Sequence, residues 1–563
     1  MSDVRTQTVG APPGVPPGLV GTDDLPPGRP RRRRWIALAL VSVLLVGGVA
    51  YGAMRLFSHA DDHAIDLVPK RSLAYANVFL EPSTAQRRAI RDLLERFPVK
   101  TPERAQDLIA NLLDEPLSEI GLQFERDVQP WLGDQIAGFA LPPQSLEADL
   151  NGGVLIATTD EDATRVALEK YRRKNDLGTE RSTYKDRDLE IDADGTVTGF
   201  LGSFLFVGTR AGFEAAADAE ASGDSLEDSA RYERAVRGLE EDRLAVGYLD
   251  TSGFMRLLRR EGGPEVLPLR RLGLTQGQTQ AAVMYATSKA VIVDQVSHVP
   301  QRGLGRELAR IYGEPGIMER LPRDAWAAMS LPNVGSVGKA IFAQAAAFLP
   351  GGLGPAAANE RIRRETGLDL NRDVLGWVEH AALYVSGTNR VDIGGGVLIS
   401  SSDPRASRRA VHRMAGLLIA EGAAIEQRTW TWRGNVDIGN DGRDTKGYAL
   451  DIGAEEPVHL VADEDRVVLA YGDEATGQAI DASSYMGDGL EWLESVKTLE
   501  KDYVPIFYVD LQSARAVLEA FGADEEDVYV EDVEPWLRPL SHVISGARRD
   551  GDRVRIRTVI GAL

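Results

Sequence analysis

The chain has 563 residues, 43% hydrophobic and 26% charged, a composition typical of folded chains with sizeable cores and not of disordered ones. It contains no cysteine, which excludes disulfides, thiolate zinc sites, iron–sulfur clusters, a cysteine nucleophile and a cysteine-linked lipid anchor. The net charge of −21 becomes −25 for residues 58–563 when the seven arginines and three aspartates of residues 1–57 are set apart. So acidic a body argues against a nucleic-acid partner, since binding phosphates needs a basic surface.

Residues 1–34 form a segment rich in proline, glycine and arginine with almost nothing apolar to bury. Prolines interrupt both helices and sheet ladders, so this composition predicts a disordered tail. Its repeated Pro-Pro-Gly favours either a plain linker or a docking ligand for a cytoplasmic partner.

The next segment has the length of a membrane-spanning helix. Residues 35–54 are twenty consecutive uncharged residues, enough to cover about 30 Å as a helix. We therefore predict a transmembrane helix over 35–57 and a linker over 58–64. Because the arginines cluster before the span, the N-terminus is predicted in the cytoplasm and the body outside the cell membrane. The alternative, a cleaved signal peptide, has a shorter apolar core of about 7–15 residues.

Gly48 and Gly52 lie one helical turn apart within the predicted span. This spacing lets two membrane helices approach closely and so allows a homodimer. The alternative is that both glycines reflect only the high frequency of glycine in such helices.

The body repeats itself with a period of about 250 residues. Residues 121–132 share six identities with 367–378, residues 152–160 resemble 395–403, and 239–250 resemble 499–510, all in the same order. This pattern indicates a duplication, with one repeat at 65–300, a connector at 301–317 and a second repeat at 318–563.

The elements predicted in the first repeat alternate between short strands and helices. The strands are predicted at 73–80, 133–141, 153–157, 184–191, 196–201, 203–207, 244–249, 279–287 and 291–298. The helices are predicted at 84–96, 101–114, 160–174, 211–220, 229–239 and 252–260, with Asp160 as a cap. Asp194-Gly195 predicts a hairpin turn. The second repeat is predicted to follow the same order and to end on strands at 541–547 and 554–560, around Asp550-Gly551. Strands joined mainly by hairpins predict an α+β fold of antiparallel sheets with inserted helices.

Three tryptophans share an Asp-Val-x-x-Trp pattern: Trp131, Trp377 and Trp536. A repeated binding tryptophan is one interpretation. The preferred one is a core residue whose N–H is satisfied locally. The preceding pairs Arg126-Asp127 and Arg372-Asp373 are predicted to be turn and cap groups rather than catalysts.

The chemistry-bearing motifs are weak. His59 and His63 have the i, i+4 spacing of metal ligands, but they lie at the predicted linker and no third ligand is evident. Ser182-x-x-Lys185 matches a pattern of penicillin-binding enzymes, but it precedes a predicted strand and the chain has no Lys-Thr-Gly. We therefore predict no catalytic, cofactor-binding or metal-binding residue.

The body resembles an uncharacterised family of bacterial envelope proteins, domain of unknown function 3352. The resemblance is carried by Leu67-Val-Pro69 with Tyr75 and Glu81-Pro82, by Gln86 ahead of Phe97-Pro98, by residues 127–133, and by residues 244–250. It covers nearly all of residues 65–563. It implies a single-pass anchor and a large extracytoplasmic α+β body, and it transfers no activity.

Three functions are therefore compatible with the sequence. The first is a non-catalytic binding or scaffold role in the cell envelope, with a protein or cell-wall partner bound in the groove where the repeats meet. The second is a carrier or chaperone for lipid or lipoprotein, which needs a large apolar cavity. The third is a cell-wall hydrolase, which needs convergent carboxylates or a serine–lysine pair in a cleft.

Overall fold

The computed structural model describes residues 61–98, 114, 117–263, 278–299, 305–306, 309–345, 354–431, 444–480 and 484–563. Within these ranges no helix combines the length and apolarity that crossing a membrane requires. The predicted transmembrane helix, Gly48 and Gly52, His59 and the predicted helix at 101–114 lie outside or almost wholly outside the described residues. The structure thus gives the anchor no support, and it stays a prediction.

Ten strands belong to the first half of the body, defined here as residues 61–299. They are β1 Ala74–Phe79, β2 Leu132–Ala140, β3 Gly152–Thr158, β4 Thr179–Tyr184, β5 Arg187–Asp192, β6 Val197–Leu201, β7 Phe204–Gly208, β8 Ala245–Asp250, β9 Thr279–Thr287 and β10 Ala290–His298. Their order across the sheet is β4-β5-β6-β7-β3-β2-β1-β8-β9-β10, and all neighbours are antiparallel.

Ten further strands belong to the second half, residues 309–563. They are β11 Ala325–Leu331, β12 Val378–Ser386, β13 Gly394–Ser401, β14 Ile425–Thr431, β15 Asp444–Leu450, β16 Val458–Asp463, β17 Arg466–Tyr471, β18 Val504–Asp510, β19 Leu540–Asp550 and β20 Arg553–Ala562. Their order is β14-β15-β16-β17-β13-β12-β11-β18-β19-β20, again antiparallel. Each strand of one half thus has a counterpart at the same place in the other.

The two halves form one sheet. β10 pairs with β20, so the twenty described strands are continuous. The predicted α+β class with antiparallel pairing is confirmed. The division of the chain into a tail, an anchor and two repeats stays a prediction. What the structure adds is that edge-to-edge pairing of two strands, rather than packing of separate sheets, joins the halves.

Twelve α-helices are inserted between the described strands. They are α1 Thr84–Leu94, α2 Glu161–Lys174, α3 Arg210–Ser222, α4 Ala230–Val236, α5 Ser252–Glu261, α6 Val334–Ala345, α7 Pro355–Thr366, α8 Pro404–Ala420, α9 Asp473–Ile480, α10 Leu490–Thr498, α11 Leu511–Ala520 and α12 Glu534–Leu537. The predicted cap of α2 is confirmed, because the Asp160 carboxylate accepts a hydrogen bond of 3.0 Å from the Ala163 amide.

Helices cover both faces of the sheet. The inner face, the one that carries Tyr248 and Tyr508, packs against α3 and α4 in the first half and against α9 and α10 in the second. The outer face packs against α2 and α8. Tyr285 on β9 contacts the inner cores of both halves, so these cores meet at the junction of the two.

Two predicted elements differ from the structure. Residues 184–191, predicted as one strand, are divided between β4 and β5 by a turn in which Lys185 and Asp186 have positive φ values of 47° and 61°. Non-glycine residues seldom adopt this conformation, so the pattern gave no turn signal. The helix predicted at 229–239 ends already at Val236, and Gly238 with a φ of 78° starts a loop instead.

Polar contacts fix the start of the body against the sheet. Ala64–Leu67 is a 3-10 turn with three buried residues. Just before it, Oδ1 of Asp62 accepts hydrogen bonds from the Tyr75 hydroxyl at 2.6 Å and the Asn77 amide at 2.8 Å. Burial raises the pKa of the Asp62 carboxyl. The predicted linker therefore ends in a fixed attachment rather than a free tether.

Candidate functional site

The junction of β10 and β20 is nearly symmetric about one residue pair. The turns between β9 and β10 and between β19 and β20 occupy equivalent places, and Asp294 and Arg557 are the fifth residues of β10 and β20. These two equivalent residues are also cross-strand partners. A pseudo-twofold axis therefore passes through the pair, where an acid in one half meets a base in the other.

Asp294 and Arg557 form a buried, two-pronged ion pair. Nε and Nη2 of Arg557 each donate a hydrogen bond of 2.7 Å to the Asp294 carboxylate. Arg557 is 9% and Asp294 is 7% exposed. Nη1 of Arg557 lies 2.5 Å from the Glu500 carboxylate. The Arg557 guanidinium also stacks 5.2 Å from the ring centre of Tyr503. Such planar, bidentate geometry is the strong form of an ion pair.

The charges at the junction change each other's protonation equilibria. Burial alone lowers the pKa of the Arg557 guanidinium, but the hydrogen bonds and charges of Asp294 and Glu500 more than offset this and raise it above its ordinary value. Burial and the neighbouring Asp294 raise the pKa of the Tyr285 phenol. The Arg557 guanidinium therefore stays protonated and the Tyr285 phenol stays neutral well beyond the physiological pH range.

A cavity of about 310 Å³ opens over this pair on the inner face. Its walls are residues 238–241, which follow α4, and Glu500 and Tyr503, which follow α10. The two wall loops contain the starts of the repeated segments 239–250 and 499–510. The floor comes from β10, β19 and β20 and includes Arg548 and Arg555. We call this cavity the seam pocket; its lining comes from both halves and is predominantly polar.

One wall of the seam pocket depends on a glycine. Arg555 Nη1 donates a hydrogen bond of 2.8 Å to the Gly238 carbonyl. A Cβ atom at Gly238 would stand 2.8 Å from Nη2 of Arg555, and the φ of 78° is one that glycine adopts without strain. The loop after α4 can therefore lie directly against the arginine of β20.

Two of the three recurring tryptophans are core residues, as the preferred interpretation predicted. Trp131 is 6% and Trp377 2% exposed. Their indole N–H groups donate to the carbonyls of Asp127 at 2.6 Å and Asp373 at 2.9 Å. Trp536 differs, because it is only half-buried and stacks on Phe97 of the first half with ring centres 5.7 Å apart.

The predicted turn role of the arginine–aspartate pairs is also confirmed. Asp127 accepts a backbone hydrogen bond from Gln123 at 2.8 Å, and Asp373 accepts one from Asp369 at 3.0 Å. Burial opposes ionisation of Asp127, but Arg126 and Lys170 outweigh it and lower its pKa to about 2. The Arg372 hydrogen bond is the main cause that lowers the pKa of Asp373 to about 2.

The lowered pKa values of Asp127 and Asp373 predict that the protein loses stability in acid. Their folded-state pKa values lie below the ordinary value of 3.8, so their contribution is complete above about pH 4 and disappears as the pH falls towards 2. We expect Asp127→Asn and Asp373→Asn each to flatten the curve of unfolding free energy against pH. Each substitution should remove roughly 1–2 kcal/mol of the fall between about pH 4 and pH 2. Denaturant titrations from pH 5 to pH 2 measure the effect. Asp162→Asn, an exposed aspartate in the first turn of α2, is the control. An equal flattening there would contradict the assignment.

The remaining motifs do not assemble into a reactive centre in the described chain. Ser182 lies within edge strand β4, whereas Lys185 lies in the following turn and its Nζ is 2.6 Å from the Asp218 carboxylate. His63 is exposed beside the 3-10 turn that begins the body. The described residues contain no cluster of three or more potential metal ligands.

A histidine ring and a serine hydroxyl lie close together outside the seam pocket. His542 Nδ1 is 3.0 Å from Ser541 Oγ, at an irregularity in the pairing of β19 and β20. Burial lowers the pKa of His542, and the neighbouring Asp510 carboxylate already accepts the Ser513 amide at the start of α11. The aspartate therefore caps a helix, and no seam-pocket residue belongs to this group.

Sequence patterns alone did not identify the residues that line the pocket. Arg553, Arg555 and Arg557 alternate along β20, a signal that one face of this strand is polar. The repeat of residues 239–242 at 499–502 marked the two wall loops. Neither signal reveals that the loops meet over the arginines, because that depends on the pairing of β10 with β20.

The fold and the pocket define an antiparallel α+β protein with a polar cavity between two like halves. The chain belongs to the family described as "Protein of unknown function (DUF3352)", which it matches over residues 35–519. Comparison with curated proteins gives no match. Among solved structures, "Structure of crystal form I of TP0453" is 9% identical, with 45% of this chain and 86% of that chain covered, at a TM-score of 0.23. At that score the likeness supports no inference.

Proposed function

We propose that this protein is a non-catalytic binding protein of the cell envelope, held at the membrane by residues 35–57, with the seam pocket as its binding site. The observation that carries the proposal is the 310 Å³ cavity formed jointly by the two halves over the Asp294–Arg557 pair. Cavities of this size between structural units are where ligands commonly bind. Their polar groups determine which partners are recognised.

The chemistry of the pocket favours binding over catalysis. Its polar lining is guanidinium, carboxylate, amide and phenol, with Arg557 and Asp294 engaged by each other. A catalytic pair needs a nucleophile or general base whose pKa is brought towards neutrality. The surroundings of the pocket instead raise the pKa values of Arg557 and Tyr503, away from neutrality. The groups are thus suited to recognition by charge and hydrogen bonding.

The attachment of the body supports a role close to the membrane. Only residues 58–60 separate the proposed span from Asp61, where the described residues begin, and three residues reach about 10 Å. From Asp62 onward the chain is bound to the sheet through Tyr75 and Asn77. The acidic body of net charge −25 favours a basic or neutral envelope partner, and anionic lipid and wall polymers repel it.

The test is cross-linked capture of envelope proteins by the full chain in its native membranes, with a tag at the N-terminus. The pocket variant Glu240→Lys/Glu241→Lys reverses two exposed wall charges, and Glu180→Lys reverses an exposed charge on distant strand β4. We expect the wild type and Glu180→Lys to retain the same partner and the pocket variant to lose at least 90% of it. Capture should also weaken at high salt.

Four results would contradict the proposal. Capture that survives the pocket variant would place binding elsewhere. Turnover of peptidoglycan or ester substrates that one residue abolishes would make the protein an enzyme, and co-purified lipid would favour a carrier. If the mature protein in the membrane had lost its N-terminal tag, the proposal that residues 35–57 remain attached as the anchor would be wrong.

A further inference from the structure

Two arginines of the seam pocket lie directly opposite each other. Arg548 on β19 and Arg555 on β20 are cross-strand partners, and both line the cavity. Like charges in this arrangement destabilise a sheet. The equivalent positions of the first half hold Tyr285 and Ile292, which are likewise cross-strand partners. The fold therefore does not require charge at these positions, and the arginine pair distinguishes the second half.

The protein leaves both guanidinium groups incompletely satisfied. Arg555 donates to the carbonyl of Gly238, and the Arg548 guanidinium lies 5.0 Å from the ring centre of Tyr503. Nη1 of Arg548 is 3.9 Å from Asp502, a carboxylate that is 79% exposed. In the described structure the Nε atoms of both arginines are buried without a hydrogen-bond partner. Buried donors are normally paired, so the two guanidinium groups keep unused hydrogen-bonding capacity.

We propose that the seam pocket binds a carboxylate group of the partner between Arg548 and Arg555. This inference rests on the proposed binding function and specifies the group recognised. A guanidinium presents parallel N–H donors that match the two oxygens of a carboxylate, and an anion between two arginines removes their mutual repulsion. Arg557 below is engaged by Asp294, so the positive charge of the floor that is available to a ligand lies on Arg548 and Arg555.

The carboxylates of the two wall loops select for an anion of low charge. Glu240 and Glu241 are exposed on one wall, and Glu500 stands on the other. Attraction to the arginines and repulsion by the carboxylates both grow with the charge of the ligand. The four carboxylates of the lining outnumber its three arginines, so a singly charged carboxylate is favoured over phosphate or sulfate. The same glutamates favour a carboxylate with cationic groups nearby, which agrees with a basic or neutral partner.

The experiment measures thermal unfolding of the full chain in detergent with three probes at matched ionic strength. The probes are N-acetyl-glycyl-leucine with a free carboxylate, its C-terminal amide, and inorganic phosphate. A ligand that binds only the folded state raises the melting temperature in proportion to its occupancy. We expect the free carboxylate to raise it, the amide to leave it unchanged, and phosphate to act more weakly than the carboxylate.

Variants locate the effect in the pocket. Arg548→Gln should weaken carboxylate binding about tenfold or more, since it removes one charged donor group. Arg549→Gln is the matched control, because Arg549 is the next residue on β19 and its exposed side chain lies on the opposite face. We expect the control to bind as the wild type does. Glu240→Gln/Glu241→Gln should strengthen phosphate binding relative to the carboxylate.

An absent carboxylate effect, an equal effect in Arg548→Gln, or phosphate binding tighter than the carboxylate would overturn this inference. These failures differ from failure of the proposed function. If the charge-reversed pocket variant loses its partner although the free carboxylate does not bind, the pocket is a binding site for another group. If the carboxylate binds but capture survives the pocket variant, the partner proposal fails instead.

Discussion

Replacing Trp131 with alanine is expected to lower the free energy of unfolding by about 3–5 kcal/mol, and Trp377→Ala by a similar amount. Both side chains are almost fully buried on the outer face, packed in the clusters that contain α2 and α8. Each indole also satisfies a carbonyl four residues earlier, at Asp127 or Asp373. Truncation therefore leaves both a large cavity and an unpaired carbonyl.

Denaturant unfolding followed by circular dichroism measures this effect. Trp536→Ala is the matched control, because it has the same sequence pattern but is half-buried against Phe97. We expect a cost below about 2 kcal/mol there, mostly from the lost ring contact. A cost below 1 kcal/mol for both Trp131 and Trp377 would show that the recurring tryptophans are not core residues.

Replacing Arg557 with methionine is expected to cost about 3–5 kcal/mol, because it leaves the buried Asp294 carboxylate without its partner. Asp294 would keep only the Tyr285 hydroxyl, at 3.2 Å, among its side-chain contacts. Asp294→Asn should cost less, since Arg557 retains Glu500 at 2.5 Å. The double replacement Asp294→Leu/Arg557→Met should recover most of the loss, because both charges are then gone.

The double-mutant cycle measures the interaction energy between Asp294 and Arg557 separately from the contacts that each residue makes with its surroundings. A coupling energy of at least 2 kcal/mol supports the pair as a joint between the halves. Additive losses would contradict it, because two equivalent residues on a pseudo-twofold axis would then act independently. Arg553→Met, at the start of β20 and away from the axis, serves as the control and should cost under about 1 kcal/mol.

Local structure followed from short stretches of sequence. The hairpin turns at Asp194-Gly195 and Asp550-Gly551 and the cap at Asp160 depend on backbone freedom or on hydrogen bonds within a few residues, so the pattern predicted them correctly. The core role of Trp131 and Trp377 followed from their apolar flanks. The turn at Lys185-Asp186 was missed because its positive φ values occur at residues without a glycine signal.

The sequence by itself determined the α+β class, the antiparallel hairpins and the acidic character of the body, since composition and alternation are properties of neighbouring residues. Only the tertiary structure decided that β10 and β20 join the halves into one sheet, that Asp294 meets Arg557, and that Arg548 lies opposite Arg555. Such contacts join residues more than 250 positions apart, or depend on the register of a long hairpin. A shift of one residue in that register would turn every side chain to the other face, and the arginines would no longer line the pocket.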